Sequence, residues 1–160
     1  MNILVACIGN IFQGDDAFGC EVAKVLMQKP PSENVRVRDF GIRGLDLTYE
    51  LMNAPELTIL VDTVARGGEA GTLYTLEPDL NAEEFEASAG NVDGHAMDPV
   101  QVLRTAKAMG GHLQRVLVVG CEPADLGGEE GRMGLTPPVA AAVQHAADMV
   151  EALIGKEVQV

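Results

Sequence analysis

The stretch ILVACIGNIFQGDDAFG, residues 3–19, decides the fold. Its first six residues are an unbroken apolar run of strand length, the pattern of a strand buried on both faces of a parallel sheet. Gly9, Gly14 and Gly19 then punctuate the chain, and a helix is expected over residues 16–28 with Val22, Val25 and Leu26 turned inward. A strand, a glycine-rich turn and a helix open a phosphate-binding unit. Here, however, Asp15 and Asp16 stand where the phosphate would rest, and Cys7 takes the place of the first glycine of G-x-G-x-x-G. Two like charges about 4 Å apart repel by roughly 4 kcal/mol at an effective dielectric near 20. A nucleotide is therefore disfavoured. A cation removes the difficulty, because it neutralises clustered carboxylates.

Working outward from this unit, strands are expected over residues 35–39, 57–62 and 115–120, with helices over 45–52 and 98–109. Residues 71–76 follow Gly67 and Gly68 too closely for a crossover helix and are read as an antiparallel edge strand. Thr136 is placed to cap a last helix running from Pro137 to about residue 154. The alternation gives one α/β domain over residues 1–160: a doubly wound, mostly parallel, twisted sheet of about five strands, helices on both faces and one antiparallel edge strand.

Composition bounds the function. Hydrophobic residues make up 47% and charged residues 22%, a globular balance. A net charge of -13 argues against nucleic acid and anionic membranes, both of which call for a basic face. No stretch approaches the roughly 20 apolar residues of a membrane span, and MNILVACIGN carries no basic signal region. Cys7, Cys20 and Cys121 form no C-x-x-C pair, as expected of a cytoplasmic protein without disulfides. Ser32 and Ser88 lie in no G-x-S-x-G elbow, and no cysteine sits in a catalytic signature. Nucleophilic catalysis is disfavoured.

In open α/β sheets ligands lie beyond the carboxyl ends of the strands. Asp15 and Asp16 follow the first strand, Asp39 ends the second and Asp62 the third, so all reach one rim. Asp39 is read as a turn former. Among the three histidines, His145 falls mid-helix and His112 at a helix end, whereas His95 lies in a loop, VDGHAMDP, near the rim. The residues favour a metal site.

The chain resembles the nickel-iron hydrogenase maturation proteases over nearly its whole length. The likeness rests on GNIFQGDD, DFGIRGLDL, LVD, the His of GHAMDP, GCEPADLG and GLTPPV. It implies a metal-dependent endopeptidase that removes the C-terminal extension of a hydrogenase large-subunit precursor. It places Asp16, Asp62 and His95 as the nickel ligands and catalytic residues, and Gly41, Ile42, Arg43, Gly44 and Leu45 in the specificity loop. The sequence departs from the family at Ile42, where a Thr is common, and at Ala17, where a Gly often follows the Asp pair. Asp15 is then expected to cap the first helix while Asp16 offers an oxygen to the metal. The nickel belongs to the substrate, and zinc or cadmium suits two carboxylates and an imidazole equally. Competing readings are a non-catalytic nickel-handling or nucleotide-binding accessory module on the same fold, and peptidyl-tRNA hydrolase. The latter conflicts with the charge and with the lack of its early catalytic histidine.

Overall fold

The computed structural model describes residues 1–81 and 99–158. Five strands form one sheet: β1 (Ile3–Ile8), β2 (Val35–Gly41), β3 (Leu57–Thr63), β4 (Leu73–Leu76) and β5 (Arg115–Cys121). Their order is β2-β1-β3-β5-β4, with β1, β2, β3 and β5 parallel and β4 antiparallel to β5 at the edge. Among the described residues four α-helices accompany them: α1 (Phe18–Leu26), α2 (Gly44–Met52), α3 (Pro99–Ala108) and α4 (Pro137–Val158). This is the expected doubly wound α/β sheet.

The central strands earn their place by having no polar face. Every residue of β1 is buried, and its side chains alternate between two cores. Ile3, Val5 and Cys7 join Ile59, Val61, Leu117 and Val119 beneath Phe18 and Val22 of α1 and Val139, Ala146 and Val150 of α4. Leu4, Ala6 and Ile8 join Leu60 and Val116 on the opposite face, with Leu47 and Leu51 of α2 and Leu103 and Ala106 of α3. Phe18 and Phe40 are the fully buried aromatic side chains among the described residues, and the cores are otherwise aliphatic.

The glycines of the opening stretch serve packing rather than an anion. A Cβ at Gly19 would stand 2.1 Å from the Ile8 carbonyl oxygen and 2.7 Å from that of Val61, so only glycine lets α1 lie against β1 and β3. A Cβ at Gly9 would stand 2.1 Å from the carbonyl oxygen of Asp16.

Several element ends differ from expectation. The first helix does not start at Asp16: residues Gly14–Ala17 form a 3-10 turn and α1 begins at Phe18. The amides of Gly14 and Asp15 donate to the carbonyls of Arg132 and Asp125 (both 2.8 Å), tertiary bonds that hold this turn outside α geometry. β2 runs past Asp39 to Gly41, β4 begins only at Leu73, and α4 continues to Val158. No helix among the described residues is long and apolar enough to cross a membrane.

Candidate functional site

The chain passes from β1 to β2 on one side and reaches β3 on the other, so the winding reverses between β1 and β3. At such a reversal the loops diverge and leave a crevice at the strand carboxyl ends. Asp16 follows β1 and Asp62 lies near the end of β3, one on each side of this point.

Thr63 joins them. Its hydroxyl donates to Oδ1 of Asp16 at 3.2 Å, and its amide donates to Oδ1 of Asp62 at 2.8 Å. The other oxygen of Asp16, Oδ2, accepts the amide of Asn10 at 3.1 Å. Asp62 is 9% exposed and Asp16 is half-buried. Burial pushes the Asp16 carboxyl above the ordinary carboxylate value, against the lowering influence of the Thr63 and Asn10 hydrogen bonds. Among the described residues no lysine or arginine pairs with Asp16. Two carboxylates that both hydrogen-bond Thr63, that of Asp16 being raised, are oxygen donors of the kind a divalent cation takes. They do not fit a phosphate, and the amides of Gly14, Asp15 and Asp16 are already taken by backbone carbonyls.

His95 lies outside the described residues. Among the described residues no group of three His, Cys, Asp or Glu side chains is assembled to hold a metal. The structure links Asp16 and Asp62 through Thr63 alone, and their role as ligands, like that of His95, remains an expectation of the sequence.

Asp15, expected as a cap, has a different task. No side chain caps the 3-10 turn or α1. The Asp15 carboxylate is fully buried and accepts the amides of Ala124 (2.8 Å), Asp125 (2.9 Å) and Thr136 (2.7 Å), together with the Thr136 hydroxyl. Burial alone would raise its pKa; these donors outweigh that and hold it below the ordinary value. Thr136, expected to cap α4, accepts the amide of Ala140 with its carbonyl but turns its hydroxyl to Asp15. A buried carboxylate needs several donors, and this one draws them from two distant loops.

Asp39 acts as a turn former, as read from sequence: its Oδ1 accepts the amide of Gly41 at 2.9 Å and the thiol of Cys20 at 3.4 Å. Gly41 has φ +54° and passes its carbonyl to the amide of Gly9 at 3.0 Å, which ties the segment after β2 to the end of β1. Beyond it Ile42 is 56% and Leu45 63% exposed. Arg43 is less free, because its guanidinium donates to the carbonyls of Asp39 (2.6 Å) and Phe40 (3.2 Å). Gly44 opens α2. The adjacent loop exposes Ile11 and Phe12, and the Phe12 carbonyl accepts the amide of Arg132 at 2.9 Å, next to exposed Met133.

A cleft of about 500 Å³ opens beside Asp62 and Thr63, walled by Leu60, Leu76, Leu103 and Val118, with Arg66 among its lining. The loop after β3 is shaped by Glu122, whose buried carboxylate accepts the amides of Arg66 (2.8 Å) and Gly68. Sequence reasoning missed Thr63, Glu122 and the exposed Ile11–Phe12 pair. Only Thr63 carried a usable sign, a hydroxyl residue directly after a strand-end aspartate.

The thiols do not form a nucleophilic site. Burial, with the negative charge of Asp39, pushes Cys20 up to about 12, and burial with the Asp15 carboxylate pushes Cys121 to about 11. Cys7 is raised further still by burial.

Comparison with known proteins agrees with this architecture. The hydrogenase maturation protease family profile matches residues 20–153. The hydrogenase 2 maturation protease of Escherichia coli is 30% identical over 156 residues, covering 96% of this chain and 91% of its own. The hydrogenase expression/formation protein HupD of Rhizobium leguminosarum is 33% identical over 138 residues, 86% of this chain, which spans 66% of that protein. Among solved structures, the hydrogenase maturating endopeptidase HybD of E. coli superposes with a TM-score of 0.78 at 28% identity, covering 98% of this chain and 94% of its own. A hydrogenase 2 maturation peptidase of a Thaumarchaeota archaeon superposes with a TM-score of 0.71, also at 28% identity, covering 97% and 99%. The fold, the rim and these relatives agree: the chain belongs to the hydrogenase maturation protease family.

Proposed function

We propose that this protein is the endopeptidase that removes the C-terminal extension of a nickel-iron hydrogenase large-subunit precursor once nickel has been inserted. Asp16, Asp62 and His95 grasp the nickel that the precursor presents, and the scissile bond is thereby set against the rim. The observation that carries the reading is that Asp16 and Asp62 both hydrogen-bond Thr63 at the point where the sheet reverses its winding. The three thiols are buried and raised in pKa, and both serines lack a hydrolase elbow, so the chain's own residues offer a cation grip rather than a nucleophile.

The precursor's metal is a substrate feature that polarises, activates water or acts as a template. The cleft beside Asp62 suits apolar residues flanking the scissile bond, and the Gly41, Ile42, Arg43, Gly44 and Leu45 segment, with Ile42, Arg43 and Leu45 exposed, meets the body of the precursor. The consequence is proofreading: a precursor without nickel is not trimmed. The test is to incubate the purified protein with nickel-loaded and nickel-free precursor and follow loss of the tail. Cleavage of the loaded form alone is expected; equal cleavage of both forms, or full activity of His95→Ala, refutes the reading.

A further inference from the structure

We propose that Thr63 is a positioning residue of the ion site, its hydroxyl aiming the Asp16 carboxylate while its amide aims that of Asp62. The proposal rests on the ion-grasping reading of Asp16 and Asp62 given above.

The two carboxylates come from segments 46 residues apart, and among the described residues no lysine or arginine pairs with Asp16 to compete with an ion. For Asp16 the described contacts are neutral donors: the Thr63 hydroxyl on Oδ1 and the Asn10 amide on Oδ2. A neutral donor orients a carboxylate yet leaves its charge for a cation, which is what an outer partner of a metal ligand must do. Thr63 suits this place for three reasons. It is the last residue of β3 and pairs in register with Cys121 of β5, so its backbone is fixed by the sheet. Strand alternation sends its side chain to the face opposite Asp62, toward the side that carries α1 and the turn holding Asp16. Its β-branch narrows the choice of χ1, a lesser aid to the hydroxyl, which makes the bond itself. One residue thus sets both ligands, the first through its side chain and the second through its main chain.

The division makes a clean experiment. Thr63→Val keeps shape, β-branching and the amide but removes the hydroxyl; Thr63→Ser restores the hydroxyl without the methyl. Binding of Ni²⁺ and of Cd²⁺ to the full chain is measured by calorimetry for the parent, Thr63→Val, Thr63→Ser, Asp16→Ala and Asp62→Ala, with melting temperatures recorded for each. The expected result is a loss of affinity of about 10- to 100-fold in Thr63→Val, typical of removing an outer partner of a ligand. Thr63→Ser should recover most of it, and the melting temperature should stay close to the parent's. Parent-like affinity in Thr63→Val, with binding lost in Asp16→Ala, overturns the role of Thr63 and leaves the ion site standing. Equal weakening in the Val and Ser variants also overturns it, since the methyl group would then be responsible. Unchanged binding in Asp16→Ala and Asp62→Ala, or no saturable binding by the parent, removes the ion site and this role with it.

Discussion

The carboxylate of Asp15 receives both the amide and the hydroxyl of Thr136, at 2.7 Å and 2.9 Å, across 121 positions of the chain. With the amides of Ala124 and Asp125 it closes the turn before α1, the loop after β5 and the start of α4 into one knot. Asp15→Ala strands three amides, that of Thr136 buried, and should lower stability by about 2–3 kcal/mol, read from urea unfolding. Asp15→Asn keeps one acceptor and should fall between. Because the folded pKa lies below the unfolded value, the contribution is present in full above pH ~4 and is lost as pH falls through the folded value. Unfolding midpoints between pH 5 and 2 should therefore drop more steeply for the parent than for Asp15→Asn.

Its neighbour should behave in the opposite sense. Burial raises the Asp16 pKa, so ionising Asp16 opposes folding: this loss is absent below the unfolded value and complete once pH exceeds the raised folded value. Asp16→Asn, whose amide can still meet the reorienting Thr63 hydroxyl, should leave the melting temperature equal to or about 1–3 °C above the parent's at pH 7 while abolishing cleavage of the nickel-loaded precursor. A large drop in melting temperature would show that the charge itself supports the fold.

The segment after β2 should divide into two kinds of residue. Ile42 is 56% exposed, so Ile42→Ser should reduce cleavage of the precursor with almost no change in melting temperature. Arg43 also braces the Asp39 and Phe40 carbonyls, so Arg43→Ala should impair cleavage and cost about 1 kcal/mol of stability as well. Phe12, 60% exposed on the adjacent loop, should behave like Ile42, and an unaffected Phe12→Ser would confine recognition to the segment after β2.

The thiols supply a further check. Cys7, Cys20 and Cys121 are buried and their pKa values are raised, so a thiol reagent at pH 8 should modify none of them in the folded protein and all three in denaturant. Cys20→Ser should keep cleavage within about threefold, because the hydroxyl can still donate to Asp39. Rapid native labelling that stops cleavage would return a cysteine nucleophile to consideration.

Gly19 tests the packing of the opening stretch. A methyl group there meets the Ile8 carbonyl at 2.1 Å and cannot be relieved by a flexible side chain, so α1 must shift. Gly19→Ala should lower stability by about 2–3 kcal/mol or more in chemical denaturation.

What the sequence determined by itself was the order of elements, because each central strand is an uninterrupted apolar run and each break carries glycine or proline. The edge strand was legible from spacing alone, since Gly67 and Gly68 leave too few residues for a crossover before Leu73. The sheet rule also put Asp16 and Asp62 on one rim, although it could not say what links them. Only the tertiary structure decided the tasks of adjacent residues. Asp15 and Asp16 are identical in local sequence character, yet one is buried in a knot with Thr136, 121 residues away, and the other meets Thr63, 47 residues away. Thr136 was read as a cap for the same reason that Asp15 was: local rules assign a side chain to the nearest free amide. A buried carboxylate instead takes whichever donors the fold carries to it, and those partners lie too far along the chain for any spacing rule to reveal.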